Sequence, residues 1–130
     1  MMNRFIFIMF LFPLVLYSQN VKTVGSLDAK VIIDSLNMQE SVIIDGRDST
    51  MFYEMGHIKG AIYIDTFRTD LQPALFEFIE KKTIVVYCTM KRRSLMIIDS
   101  LKSMEYKGEI VLIEDGISGW IENNLPVTNQ

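Results

Sequence analysis

Three runs of aliphatic, mostly β-branched residues punctuate the chain: Val42-Ile43-Ile44, Thr83-Ile84-Val85-Val86-Tyr87 and Ile110-Val111-Leu112-Ile113. None alternates with polar residues, so each is expected to be a strand buried on both faces. Val21 to Val24 and Ala61 to Ile64 are weaker runs that fit edge strands. Between them the apolar spacing becomes helical. Ser26 is placed to cap a helix with Leu27, Val31 and Leu36 near one face and Asp28 in its first turn. Asp70 is placed to cap a second, carrying Leu71, Leu75, Phe78 and Ile79. Ile97, Ile98, Leu101 and Met104 form the inner stripe of a third, which Lys107-Gly108 is expected to stop. Strands alternating with amphipathic helices predict an α/β domain with a parallel sheet covered by helices. With 130 residues, no internal repeat and no linker, the pattern describes one unit, with Thr128 to Gln130 expected to fray.

The first 18 residues stand outside that pattern. Phe5 to Tyr17 is an uncharged apolar run, preceded by Arg4, interrupted by Pro13 and followed by Ser18-Gln19. Basic head, apolar middle and small-residue exit are the marks of a secretory signal peptide, which places the mature domain at residues 19–130. A membrane-spanning helix needs about 20 apolar residues, more than this run supplies. Export to the periplasm is therefore the expectation, with a membrane association only through an uncleaved signal segment. No cysteine lies near the exit to carry a lipid anchor.

Charge narrows the choice of partner. The whole chain carries 13 basic and 16 acidic residues. Losing Arg4 with the signal leaves 12 against 16, a net charge of -4. A mildly acidic domain has no broad basic surface with which to neutralise phosphates, so nucleic acid is not an expected partner. One cysteine and one histidine make neither an internal disulfide nor the usual zinc site. A single free thiol in an exported chain points instead to a reactive group or an intermolecular partner.

Cys88 sits where such a group would be useful. It directly follows the most clearly buried strand, and five residues later Arg93-Ser94 opens a helical segment. In open parallel sheets, sites gather at the carboxyl ends of strands, where loop amides and helix amino ends meet. Lys91, Arg92 and Arg93 add three positive charges beside the sulfur. Such a setting favours an anionic nucleophile and an anionic ligand. A merely structural cysteine would keep apolar company, which this loop does not offer.

Four segments taken together resemble the rhodanese family. Cys88-Thr89-Met90-Lys91-Arg92-Arg93, followed by Ser94, is similar to its Cys-x4-Arg-Ser/Thr active-site loop. Ile44-Asp45-Gly46-Arg47 resembles its Asp-Val-Arg strand end, and Gly56-His57-Ile58-Lys59-Gly60-Ala61-Ile62 its Gly-His-Ile-x-Gly-Ala-x segment. Gly116-Ile117-Ser118-Gly119-Trp120, then Leu125-Pro126-Val127, resembles its Gly-Gly-x-x-x-Trp ending. Two positions depart from the family pattern: Lys91 stands where glycine is usual, and Asp115 replaces the first glycine of the last motif. Lysine replaces glycine without strain only where φ stays negative.

The resemblance implies a three-layer fold with a five-stranded, mostly parallel sheet. It also implies a thiosulfate-type sulfurtransferase working without metal or organic cofactor. Cys88 would carry sulfur as a persulfide, taking it from a small anionic donor and passing it to a nucleophilic acceptor such as cyanide or a thiol. Thr89, Met90, Lys91, Arg92 and Arg93 would bind the substrate. The loop spans six positions, one fewer than in related phosphatases and arsenate reductases, so sulfur transfer is favoured over phosphate hydrolysis. A rhodanese-like module that only binds a partner or stores sulfur is the alternative from another class.

Five further residues are expected to be structural. Asp45 and Arg47 should pair, because charges near a core need partners. His57 lies in a turn, and persulfide chemistry needs no dedicated base once the thiol is ionised. Trp120 and its neighbour Ile121 are expected in the core.

Overall fold

The computed structural model describes residues 20–130, together with Ile6, Ile8 and Met9. The rest of the proposed signal segment lies outside the described residues. Among the described residues, no helix is long and apolar enough to cross a membrane.

Five strands form one sheet: β1 (Val21–Val24), β2 (Ser41–Asp45), β3 (Ile62–Tyr63), β4 (Thr83–Tyr87) and β5 (Glu109–Ile113). Their order is β1-β5-β4-β2-β3, and every neighbouring pair is parallel. The two weaker runs of the sequence are the two edges. The three uninterrupted apolar runs are the centre, where residues of both faces meet helices.

Helices α1 (Ser26–Ser35) and α5 (Gly116–Glu122) cover one face; α3 (Leu71–Phe76) and α4 (Arg92–Ser103) cover the other. Alternate strand residues divide between the layers. Ile43, Val85, Tyr87, Val111 and Ile113 pack with Ala29, Ile117 and Trp120. Ile44, Ile84, Val86, Ile110 and Leu112 pack with Leu75, Ile97, Ile98 and Leu101. The short helix α2 (Ser49–Glu54) starts where the Asp48 carboxylate accepts the Met51 amide at 2.9 Å, and it buries Phe52.

Several local expectations are corrected. Gly25, not Ser26, occupies the cap of α1; Ser26 is the first helical residue and is itself buried. The inward stripe of α1 is Ala29, Ile32, Ile33 and Leu36, whereas Leu27 and Val31 are 60% and 70% exposed. Both sets have helical spacing, but only the former runs unbroken through i, i+3, i+4 and i+7. Asp70 occupies the N-cap of α3 as expected, but its carboxylate makes no cap hydrogen bond and is held instead by Arg68 at 2.6 and 2.9 Å.

The later part of the chain holds three more corrections. α4 begins at Arg92 and ends at Ser103, before Lys107-Gly108. Glu105 takes φ +58°, and the Tyr106 and Glu105 amides reach back to the Leu101 and Lys102 carbonyls at 3.0 Å each. This reversal closes the helix with glutamate where glycine is usual. Ile121 is exposed, although Trp120 is buried. Thr128 to Gln130 are tied down: Thr128 exchanges both backbone hydrogen bonds with His57 at 2.8 and 2.9 Å, and the Asn129 side-chain Nδ2 donates to the Tyr53 carbonyl at 2.6 Å.

Candidate active site

The carboxyl ends of β2, β4 and β5 lie side by side, and each leads into one part of the candidate site. Cys88 leaves β4 and is only 1% exposed, and it is unpaired with any other cysteine. The segment after β5 holds the loop that follows it. Ile117 and Ser118, in the first turn of α5, donate their amides to the Cys88 and Thr89 carbonyls at 2.8 and 3.1 Å. Gly116 makes this approach possible, at φ +59°, since a Cβ there would stand 2.6 Å from the Met90 carbonyl oxygen.

With the loop carbonyls taken up by α5, the amides of Thr89, Met90 and Lys91 have no backbone acceptor among the described residues. The amides of Arg92 and Arg93 belong to the first turn of α4, which leaves its donors free of helical partners. The loop therefore has donors to offer.

Its cations are uncompensated. Lys91 and Arg92 are exposed, and neither they nor Arg93 form an ion pair among the described residues. Arg93 is half-buried. Its guanidinium carbon lies 4.7 Å from the centre of the Phe67 ring, and Nη1 is 3.8 Å from the Met51 sulfur. Cys88 and the five residues through Arg93 line, with Phe67, an open depression of about 360 Å³.

Phe67 had no mark in the sequence. It reaches the depression because Thr66 anchors the segment after β3: the Thr66 hydroxyl donates to the Gly46 carbonyl at 3.0 Å and lies 3.4 Å from the Arg93 carbonyl. Gly46 leaves room for that hydroxyl, which a Cβ would meet at 2.9 Å. The contact joins segments 20 and 27 residues apart, beyond the reach of local patterning.

Asp45, Arg47, His57 and Trp120 lie outside the lining of the depression. Asp45 and Arg47 form a buried, forked ion pair, Nε to Oδ1 at 3.0 Å and Nη2 to Oδ2 at 2.7 Å. Asp45 Oδ1 also accepts the Arg47 amide at 3.0 Å, and Arg47 Nη2 also donates to the Gly56 carbonyl at 2.7 Å. Burial pulls the Arg47 pKa down, but the hydrogen bond to Asp45 and its charge outweigh this and hold it above the ordinary value. Tyr87, whose hydroxyl accepts the Ile58 amide at 3.1 Å, is pushed well above the usual tyrosine range by burial and then by the Asp45 charge.

His57 is stacked on Phe52 at 3.5 Å, and its Nδ1 lies 2.9 Å from the Phe52 carbonyl oxygen, so Nδ1 carries the proton. Trp120 Nε1 donates to the Pro126 carbonyl at 2.9 Å. Among the described residues, no group of acidic, cysteine and histidine side chains is arranged to hold a metal.

The family profile described as Rhodanese-like domain matches residues 28–123. The chain belongs to the rhodanese-like domain family. Solved structures share the fold. A thiosulfate sulfurtransferase from Pseudomonas aeruginosa matches 85% of this chain and 21% of its own, at 19% identity and a TM-score of 0.70. A rhodanese-related protein from Thermoplasma volcanium matches 84% of this chain and 99% of its own, at 21% identity and 0.68. A protein of unknown function from Rhodopseudomonas palustris, described as a possible tyrosine phosphatase, matches 82% and 84% at 23% identity and 0.69. No curated protein matches the chain.

One departure from the rhodanese pattern is structurally harmless here. Lys91 has φ -136°, so the position demands no glycine. The other departure is not explained by a contact: Asp115 Oδ1 is buried and without a hydrogen-bond partner, as is the Ser94 hydroxyl in the first turn of α4. The Asp115 carboxylate instead fills the space that a Cβ on Gly119 would need.

Proposed function

We propose that this rhodanese-like domain is a sulfurtransferase, moving sulfane sulfur from thiosulfate or a similar donor to a thiol or cyanide acceptor through a persulfide on Cys88. The observation that carries the reading is a lone cysteine in a depression bordered by three cations without acidic partners among the described residues. The Cys88 thiolate attacks the outer sulfur of thiosulfate; a new S–S bond forms, the old one breaks, and sulfite leaves with its electron pair. The acceptor then attacks the outer sulfur of the persulfide and restores the thiolate. Free loop amides, Lys91, Arg92 and Arg93 stabilise the donor's negative charge. Neither step calls for a metal or an organic cofactor, and the six-position loop favours this chemistry over phosphate hydrolysis.

One observation favours a second reading, a non-enzymatic module that binds a partner or stores sulfur: Cys88 is almost wholly buried. Steady-state thiosulfate:cyanide transfer separates the two. The enzyme reading requires turnover by the wild type and none by Cys88→Ser. Absence of turnover by the wild type would leave the binding module.

Export belongs to the same proposal. The run from Phe5 to Tyr17 acts as a signal, and the domain works in the periplasm. Protein recovered from the producing cell should begin near Gln19. Full-length protein in the cytoplasm would refute it.

A further inference from the structure

A second hollow, of about 180 Å³, opens on the face of the sheet covered by α1 and α5. Ile33 of α1, Ile58, Trp120 of α5 and Pro126 form its apolar walls. Local hydrogen bonds fix these walls before any ligand arrives. The Trp120 indole donates to the Pro126 carbonyl at 2.9 Å, the Ile58 amide donates to the Tyr87 hydroxyl at 3.1 Å, and the Ile33 carbonyl accepts the Leu36 amide at 3.1 Å. Lys30, Asp34 and Lys59 stand at the border. Lys30 is answered by both carboxylate oxygens of Asp34, at 2.6 Å each, whereas Lys59 has no acidic partner among the described residues. One positive charge is thus left unanswered there, in a chain whose net charge is -3. The space equals that of about six water molecules and falls below the roughly 300–1,000 Å³ of drug-sized ligand pockets. A preformed apolar hollow with a single unpaired cation at its border fits a small monoanion with a compact apolar body.

Two of the walls lead straight to Cys88. Trp120 belongs to α5, whose Ile117 and Ser118 amides hold the Cys88 and Thr89 carbonyls. Ile58 is hydrogen-bonded to Tyr87, the residue before Cys88. Cys88 is only 1% exposed, so access to its sulfur depends on local opening of these attachments. A ligand held between Ile58 and Trp120 binds the closed arrangement and disfavours the open one. We propose that the hollow is an effector site for a small aromatic or branched-chain monocarboxylic acid, that Lys59 takes its carboxylate, and that occupancy shields Cys88.

Trp120 is the single tryptophan of the chain, so its fluorescence reports the hollow directly. Intact protein is titrated with benzoate, with benzamide, which lacks the charge, and with acetate, which lacks the ring. Benzoate should bind about fivefold or more tightly than either. Lys59→Gln should weaken benzoate by about fivefold, and Lys59→Arg should restore it. Lys22→Gln, exposed on β1 and outside the lining of the hollow, should leave binding unchanged. Equal binding of the three probes, or benzoate binding indifferent to Lys59→Gln, overturns the site.

The effector role is read from the rate at which iodoacetamide alkylates Cys88, with benzoate at about ten times its dissociation constant. Neither this rate nor the fluorescence involves sulfur transfer, so the sulfurtransferase reading and the effector site stand or fall separately. The rate should fall by about three- to tenfold in the wild type, with about threefold less protection in Lys59→Gln at the same concentration. An unchanged rate overturns the effector role. Equal protection in Lys59→Gln would place benzoate in the depression beside Cys88 and overturns it too.

Discussion

Two adjacent strand ends treat their charges in opposite ways. After β2, Arg47 is buried and paired: its guanidinium forks onto Asp45 and reaches the Gly56 carbonyl. After β4, Lys91, Arg92 and Arg93 have no acidic partner among the described residues, and the amides beside them lack backbone acceptors there. The first arrangement has spent its hydrogen-bonding capacity on holding the chain in shape. The second keeps its capacity for a ligand. Charge alone does not mark a site; charge left unanswered beside a cysteine makes a candidate.

The largest expected effect comes from opening the closed end. Asp45→Ala leaves a buried, unpaired guanidinium and should cost about 3–5 kcal/mol of stability in urea unfolding. Lys91→Ala and Arg92→Ala, made on the open end, should stay within about 0.5 kcal/mol of wild type. If Asp45→Ala is as mild as they are, the two ends do not differ as described.

The next effect separates cations within the open end. Arg93→Ala should raise the thiosulfate KM by about tenfold or more, the scale of a lost charged hydrogen bond, with the fold intact. Lys91→Gly should change it by about twofold, since a lysine supplies a point charge rather than a fork. Similar KM values for the two variants would remove the special role of Arg93.

Alkaline pH probes the closed end again. Tyr87 is held protonated beyond the usual tyrosine range, and Tyr106, on the opposite side of the sheet, is pushed up to about 12 by burial and then by Glu109. A folded pKa above the unfolded value of about 10 gives stability that is complete below pH 10 and lost as pH rises towards the folded value. Stability should therefore decline from about pH 10 upward, and less steeply in Tyr106→Phe and in Tyr87→Phe. A decline of equal slope in both variants would contradict the assignment. The smallest effect belongs to Ser94→Ala: the hydroxyl has no partner to lose, so stability should change by less than about 0.5 kcal/mol.

Much of this was legible in the sequence, for physical reasons that also explain the rest. β4 matched its predicted run residue for residue, because an unbroken β-branched segment fits little but a buried parallel strand. The position of Cys88 followed from that strand. The inward face of α1 was misjudged because the helix carries two apolar stripes, and only packing against α5 and the sheet decides between them. The C-terminal residues are held by a bridge to His57, some 70 positions earlier, which no local pattern reports. Phe67 escaped notice for the same reason, since it enters the depression through the hydrogen bond from Thr66 to Gly46.

The central claim is that Cys88 carries sulfur, and the intact mass of the protein after incubation with thiosulfate tests it most directly. Wild-type protein should gain the mass of one sulfur atom and lose it on addition of cyanide, while Cys88→Ser should gain nothing. Sulfur retained by the serine variant, or a wild-type mass that never changes, would contradict the account.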